Sequence, residues 1–391
     1  MQQNPNPPAL FGIDDRVFME VIHRGDLRQR ISLATQLAAF IRADETSAAE
    51  REQAIPAALK LTADPEPAVR RALARGFADD PKLHADLLFA IVSDDDAIAI
   101  PFLAATPALT HWHMLAVLRV GDVVRQATVA CRADLSREAV DYIIESLPLA
   151  INLLLFENDA VSLTREQYQG LYDRFGETPE MLDRLLNDAA LPVDLRVAHA
   201  RRAAARMQKL VIDRGWMPAN DAVDMVADAE ENAVLDILTH AGEAKLAPAV
   251  AALVDGEMLT PAIIVRAACL GAMDVVVHTV AYLAGISVKR AEAMMFGRRG
   301  SFRKLHAKSG LPQSCYWTLQ AACDVAREQA EDGITLSADD FGRRMIETLL
   351  TRYEALPLAE RPKQLDYVGR FAADRARLIA NRIRADLARA A

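Results

Sequence analysis

Apolar residues recur at intervals of three and four along almost the whole chain, and no segment alternates as a half-buried strand does. The clearest passage is IPAALKLTADPEPAVRRALARGFADDP, residues 55–81. It predicts a short helix that ends near Ala63, a break at Asp64-Pro65, and a second helix. The predicted apolar face of that second helix comprises Val69, Ala72, Leu73 and Phe77. The basic unit of the chain is therefore a short helical hairpin.

Related hairpins follow the first one. The residues that mark their turns are Asp64, Asp94, Asp122 and Pro148, at separations of 30, 28 and 26 residues. A short helical hairpin cannot cover its own apolar face, so successive hairpins are expected to stack. The predicted fold is all-α, an α-solenoid of stacked helical hairpins with a C-terminal helical region and a long terminal helix.

Breaks in the pattern divide the chain into four predicted parts. They are a disordered tail (1–12), a helical repeat region (13–255), a second helical region (256–331) and C-terminal helices (332–391). The last part ends in a long helix from about Arg361, with eight basic residues against three acidic ones up to Arg389. That helix could dock on its own body, form a homodimer with a second copy, or bind another partner.

Two stretches carry a resemblance to known families. DPEPAVRRALARGFAD resembles the second helix of a HEAT repeat with its preceding turn. Together with GEMLTPAIIVRAACLGAMDVVVHTVAYLAGIS and the later FRKLHAKSGLP, it resembles an uncharacterised bacterial family, domain of unknown function 2336. The resemblance covers about residues 30–330. It implies an all-α, HEAT-like body, and it supplies no catalytic residues.

Composition narrows the functional class. The chain has 52% hydrophobic residues, which argues against global disorder, and no apolar run long enough to span a membrane. Its net charge of −9 disfavours a nucleic-acid binder, including a HEAT-like DNA glycosylase, which needs a basic concave surface. Its four cysteines lie at no metal-ligand spacing, as expected of free thiols in a cytoplasmic protein.

Recognisable catalytic motifs are absent from the sequence: there is no GxSxG, HExxH, GK[ST] phosphate loop or GxGxxG. The only close histidine pair, His111 and His113, would lie about 200° apart on a helix, which does not suit one metal. The run from Asp94 to Asp96 lacks the ligand pattern of an EF-hand and is better explained as a helix start. We therefore expect no enzyme activity, no metal and no cofactor.

One basic segment stands out in an otherwise acidic chain. It contains Arg298, Arg299, Arg303, Lys304 and Lys308, with no carboxylate among them. Ser301 is expected to cap a short helix that ends at Gly310, with Phe302 and Leu305 facing the protein. The basic side chains then either face solvent or bind an anion, such as a nucleotide or another phosphate ligand.

Two functions remain in contention. Stacked helical hairpins expose long surfaces that generally bind other chains, so the first expectation is a non-enzymatic scaffold for protein interaction or regulation, with protein partners. The alternative is a nucleotide or phosphate sensor that uses the basic segment 298–308.

Overall fold

A computed structural model describes residues 15–297, 301–333, 335–352, 356–359, 361–364, 366, 369 and 372. These residues form 21 α-helices and one short 3-10 helix, and none of them lies in a strand. The all-α prediction is confirmed. The predicted tail at 1–12 and nearly all of the predicted terminal helix lie outside the described residues.

The chain divides between Leu185 and Leu186 into two compact units. The helices that begin in the first unit are α1 (Asp15–Arg24), α2 (Leu27–Arg42), α3 (Ala48–Thr62), α4 (Pro67–Phe77), α5 (Ala85–Val92), α6 (Asp96–Ala105), α7 (His111–Val120), α8 (Val123–Ala130), α9 (Arg137–Ser146), α10 (Leu149–Phe156), α11 (Arg165–Phe175) and α12 (Pro179–Asn187). The last of these helices crosses the division.

The second unit contains longer helices. They are α13 (Val193–Asp213), α14 (Ala219–His240), α15 (Glu243–Asp255), α16 (Pro261–Cys269), α17 (Met273–Ala284), α18 (Val288–Phe296), α19 (Ser301–Ser309), α20 (Tyr316–Asp332) and α21 (Ala338–Thr351), with the 3-10 helix at Gln313–Cys315 before α20. The boundaries that the sequence suggested near 255 and 331 fall at the ends of α15 and α20, inside this unit.

Helices begin where a polar side chain can satisfy the free backbone N–H groups of the first turn. Asp26, Ser47 and Thr110 each form a capping box with the residue three positions later. The carboxylate of Asp122 accepts a hydrogen bond from the backbone N–H of Arg125 at 2.9 Å. Because such capping residues recur at short intervals along the chain, the first unit consists of many short helices.

In the first unit, alternate helices lie side by side. Helix α2 packs against α4, α4 against α6, α6 against α8, and α8 against α10, while α3 contacts α5 and α7 contacts α9. The four turn markers predicted from the sequence lie between the paired helices α3–α4, α5–α6, α7–α8 and α9–α10. On the predicted apolar face of α4, Val69, Leu73 and Phe77 are fully buried, whereas Ala72 is only partly buried. The buried faces thus lie between neighbouring helices.

An arginine on α4 connects two consecutive turns of the first unit. Nε of Arg70 donates to both carboxylate oxygens of Asp94, at 3.0 and 2.9 Å. One terminal nitrogen donates to the backbone carbonyl of Asp64 at 2.8 Å, and the other to Asp95 at 2.7 Å. Only 13% of the Arg70 side chain is exposed. These bonds fix the α3–α4 turn against the α5–α6 turn.

Other arginines make the same type of contact. Arg30 on α2 pairs with Asp64 at 3.1 Å, across the α3–α4 turn. Arg125 on α8 donates to the backbone carbonyls of Val92 and Asp94, at 2.8 and 2.5 Å, and so reaches the α5–α6 turn. The α3–α4 and α5–α6 turns are therefore each held by a helix of a neighbouring hairpin.

The core of the second unit is built around α17, which contacts α15, α16, α18 and α19. The first residues of the predicted terminal helix, 361–364, are described and pack against this unit. The Gln364 side chain is 1% exposed, accepts a hydrogen bond from the Thr318 hydroxyl at 2.6 Å and donates to the Ser314 carbonyl at 2.7 Å. The side chain of Gln364 therefore contacts α20 and the 3-10 helix that precedes it.

Candidate functional site

The structure places three of the five predicted anion-binding residues on helix α19. Arg303, Lys304 and Lys308 are exposed, and none of them makes an ion pair with a described residue. Arg298 and Arg299 lie outside the described residues. The described part of the predicted site is thus a basic face on one short helix.

The orientation of α19 follows from its apolar residues. Phe302 and Leu305 are buried in the core of the second unit, so the basic residues between them face solvent. Gly310 has a φ of +72° and ends the helix, as the sequence predicted. Ser301 differs from the prediction, because it is the first helical residue and its hydroxyl donates to the Met294 carbonyl at 2.5 Å.

An aromatic cluster lies directly beneath this basic face. The ring of His306 lies 6.0 Å from that of Phe302 and 5.2 Å from that of Tyr316, and the last two are stacked at 5.7 Å. Burial raises the pKa of Tyr316, and the charge of Arg303 acts in the opposite direction. The charge of Arg303 thus acts on an aromatic residue, Tyr316, that the sequence did not reveal.

His306 is the buried titratable group of this cluster. It is only 3% exposed, and its Nε2 atom has no hydrogen-bond partner. Burial lowers the pKa of His306 below its ordinary value, while a hydrogen bond with the Pro312 backbone acts in the opposite direction. The imidazole is therefore held in its neutral form inside the protein, where it cannot contribute charge to anion binding.

A second candidate surface is a groove between α4 and α6 in the first unit. Its volume is about 150 Å³. The residues that line it are Arg71, Ala74, Arg75, Ala78, Ala97, Ile98, Pro101 and Phe102. Apart from the two arginines, every lining side chain is apolar. The groove is therefore an apolar trough with two cations from one helix.

The arginines of this groove differ from their neighbour Arg70. Neither Arg71 nor Arg75 makes an ion pair or hydrogen bond with a described residue through its side chain. They are four residues apart and therefore lie one above the other on α4. Sequence reasoning missed this site, because the helical pattern places Arg70, Arg71 and Arg75 alike off the apolar face of α4.

A third depression, of about 400 Å³, lies between α13, α14 and α15 in the second unit. Its basic residues already have partners. Lys245 donates to the Ala189 carbonyl at 2.5 Å, and Arg196 donates to the Leu186 carbonyl at 2.6 Å. His240 contacts Asp236 at 3.5 Å. This depression offers no unpaired cation to a ligand.

The residues considered for metal binding have other roles. His113 takes part in the capping box with Thr110, and its ring lies 5.3 Å from that of Phe89. The run from Asp94 to Asp96 binds arginines of neighbouring hairpins. Among the described residues, no group of three or more histidine, cysteine or acidic side chains is placed to hold a metal ion.

In the described residues, none of the helices is both long enough and apolar enough to cross a bilayer.

These features define an all-α protein with two basic surfaces among the described residues. The family model of an uncharacterised protein conserved in bacteria, DUF2336, matches residues 98–359. The chain belongs to this family. Searches of curated proteins and of solved structures each found no significant match.

The matched range starts and ends later than the resemblance suggested, since residues 30–330 were expected. Of the two stretches that carried the resemblance, the one that begins at Gly256 lies inside the match and the one that begins at Asp64 lies before it. Arg71 and Arg75 also precede the match, so the family supplies no information about the cations of the groove.

Proposed function

We propose that this protein is a HEAT-like α-solenoid that acts as a non-enzymatic scaffold for protein interaction or regulation. The partner is a protein segment that inserts an apolar side chain into the α4–α6 groove and presents carboxylates to Arg71 and Arg75. The observation that carries the proposal is the pair of unpaired arginines beside an apolar groove.

The arrangement of the first unit supports the repeat interpretation. Alternate helices are neighbours in two series, as in stacked hairpins. Arg30, Arg70 and Arg125 each join their helix to the turn of a neighbouring hairpin. Contacts of this kind repeat along the chain, so the hairpins stabilise one another in sequence.

The chemistry of the groove indicates the kind of partner. Its apolar floor favours a buried leucine or phenylalanine, because each such side chain contributes about 1.5–3 kcal/mol when it is removed from water. Arginines four residues apart are separated by about 6 Å along the helix axis and can each bind a carboxylate. An amphipathic acidic helix has both features on one face, at the spacing of helix-in-groove recognition.

The test uses a defined peptide. A fluorescein-labelled helical peptide with leucines at one face and glutamates one turn away is titrated with the full chain, and anisotropy is followed at 0.1 M salt. A peptide with lysine in place of glutamate is the first control. We expect micromolar binding of the acidic peptide, at least tenfold tighter than that of the basic one.

Matched variants locate the binding site. Arg71→Ala/Arg75→Ala should weaken binding at least tenfold, while Arg28→Ala/Lys82→Ala removes the same charge from exposed positions outside the groove and should change it less than twofold. Ala97→Glu should also weaken binding, since it places a carboxylate between the arginines and the peptide. Equal affinity of the wild type and the Arg71/Arg75 variant would reject the groove as the docking site.

A second candidate function is a nucleotide or phosphate sensor on α19. Arg303, Lys304 and Lys308 are exposed and without an ion pair among the described residues, and the charge of Arg303 acts on the aromatic side chain of Tyr316. Base stacking on an aromatic ring beside arginines would suit a nucleotide. This arrangement is the observation that favours the sensor.

Thermal-shift measurements with a panel of nucleotides and with inorganic phosphate test the sensor. A shift that is lost in Arg303→Ala/Lys304→Ala and in Arg298→Ala/Arg299→Ala, but kept in Lys289→Ala/Arg290→Ala, would support it. The last variant removes the same charge from exposed residues of the adjacent helix α18. No shift across the panel would reject the sensor.

A further inference from the structure

The two longest helices in the described part of the chain form a hairpin. Helices α13 and α14 have 21 and 22 residues, so each is about 30 Å long. A turn of five residues joins them, and Arg201 of one contacts Glu230 of the other at 2.5 Å. The helices are therefore antiparallel neighbours over most of their length.

Only the base of this hairpin contributes to the core of the second unit. Val193 and Val197 of α13, and Val234, Leu235 and Leu238 of α14, belong to that core. The remainder, residues 200–230, is named the arm here. It extends about 20 Å along each helix.

The arm buries little of its apolar surface. Within residues 200–230, the buried residues are Val211, Ala222 and Val226. The large apolar residues that it exposes are Met207, Leu210, Ile212, Trp216, Val223 and Met225. Trp216, in the turn at the tip, is 66% exposed. A concentration of exposed apolar side chains on one projecting element is typical of an interaction surface.

The exposed apolar residues follow helical spacing. Ala203, Met207 and Leu210 are separated by four and three residues, so they form one stripe on α13. Met225 and Ala229, four residues apart, do the same on α14. Such stripes are suited to packing against further helices, as in a four-helix bundle.

The two helices of the arm carry opposite charge. From residue 201 to 209, α13 has four basic residues and no acidic one: Arg201, Arg202, Arg206 and Lys209. From residue 221 to 231, α14 has five acidic residues and no basic one: Asp221, Asp224, Asp228, Glu230 and Glu231. Arg201 and Glu230 pair with each other, Asp228 and Glu231 pair with Arg266 of α16, and Arg202 and Arg206 also have partners. The charged side chains of the arm that make no ion pair with a described residue are Lys209, Asp221 and Asp224.

We infer that the arm is a self-association surface, on which the arms of two copies pack into a four-helix bundle with α13 of each copy against α14 of the other. A two-fold axis makes an interface self-complementary. On the arm, Lys209 of α13 is opposite in charge to Asp221 and Asp224 of α14, and both helices have exposed apolar stripes. A second copy therefore offers carboxylates to Lys209 and an apolar surface to each stripe without a further component.

The test measures the oligomeric state of the full chain by sedimentation velocity between 1 and 50 μM. The wild type is expected to sediment as a dimer at the upper concentrations. Leu210→Arg/Met225→Glu keeps the sign of charge of each helix and changes two exposed residues, so its circular dichroism should match the wild type. Its dimer dissociation constant should rise at least 30-fold.

A matched control separates the arm from the rest of the unit. Leu350→Arg/Leu358→Glu makes the same two changes at exposed apolar residues outside the arm and should leave the dimer intact. A wild type that is monomeric at 50 μM overturns the inference and leaves the arm to a different partner. A dimer that persists in Leu210→Arg/Met225→Glu also overturns it and assigns association to another surface, such as the segment after Arg361. Neither result depends on peptide binding to the α4–α6 groove.

Discussion

The most direct test of the stacked arrangement is the replacement of Arg70 by alanine. This change removes two hydrogen bonds to Asp94, one to the Asp64 carbonyl and one to Asp95. The Asp94 side chain is 8% exposed and would lose its cationic partner, while that of Asp95 is 71% exposed and can turn to solvent. The cost of the change therefore comes mainly from Asp94.

The expected loss of stability follows from the difference in exposure between Asp94 and Asp95. Breaking a buried ion pair by removing one partner costs about 3–5 kcal/mol, whereas an exposed pair contributes about 0–1 kcal/mol. Asp94 keeps a hydrogen bond from the backbone N–H of Asp95 at 2.6 Å, and water can reach it once the Arg70 side chain is gone. We expect the free energy of unfolding to fall by about 2–3 kcal/mol. For a unit of this size, that corresponds to a Tm lower by about 4–12 °C.

Arg71→Ala is the matched control, because it removes the same side chain from the next position of the same helix, where no described partner is lost. We expect its free energy of unfolding to lie within about 0.5 kcal/mol of the wild-type value. Urea unfolding followed by circular dichroism gives both values. Hydrogen exchange of the α4 and α6 amides assigns the loss to the first unit. Equal stability of the Arg70 and Arg71 variants would refute the proposed link between the turns.

Three further predictions follow from other contacts. Gly76→Ala should destabilise the first unit by about 1 kcal/mol or more despite the better helix propensity of alanine, because the new Cβ would lie 2.5 Å from that of Ala38; urea unfolding that shows stabilisation would contradict this close approach. Because the folded-state pKa of His306 is lowered, its contribution to stability is present above its unfolded pKa of about 6.5 and is lost as the pH falls, when the unfolded chain takes up a proton. The stability of the wild type should thus fall more steeply between pH 7 and pH 5 than that of His306→Leu, by at most about 1.4 kcal/mol per pH unit, and parallel pH profiles would be inconsistent with a buried neutral imidazole. Burial raises the pKa of Cys323 to about 12, so iodoacetamide at pH 8 should label the exposed Cys131 in the folded protein and spare Cys323 until unfolding; early labelling of Cys323, detected by mass spectrometry, would show that its site opens readily.

Much of the local structure could be predicted from the sequence. The turns near Asp64 and Asp122 and the end of a helix at Gly310 follow from short-range chemistry. On α19 the pattern also separated the buried Phe302 from the basic residues that face solvent. These features depend on residues within about four positions, which the sequence displays directly.

The candidate sites were less accessible to prediction. Tyr316, on which the charge of Arg303 acts, lies beyond the end of α19, and the groove at Arg71 needs side chains from α6. The anion-binding role of Arg298 and Arg299 stays a prediction, because both lie outside the described residues. A binding surface combines residues that are distant in the chain. Their spacing in the sequence therefore does not predict that they lie together.

Arg70 and Arg71 show the difference between what the sequence predicts and what the tertiary structure determines. The sequence by itself determined that both lie on one short helix, off its apolar face, because helical periodicity needs only the identity of nearby residues. Only the tertiary structure decided that Arg70 binds Asp94, 24 residues away, while Arg71 borders an apolar groove. The same holds for the α13–α14 hairpin, whose arm is exposed because only the base of the hairpin contributes to the core of the second unit. Burial and ion pairing are properties of the packed chain, since they depend on which distant segments fold against a residue.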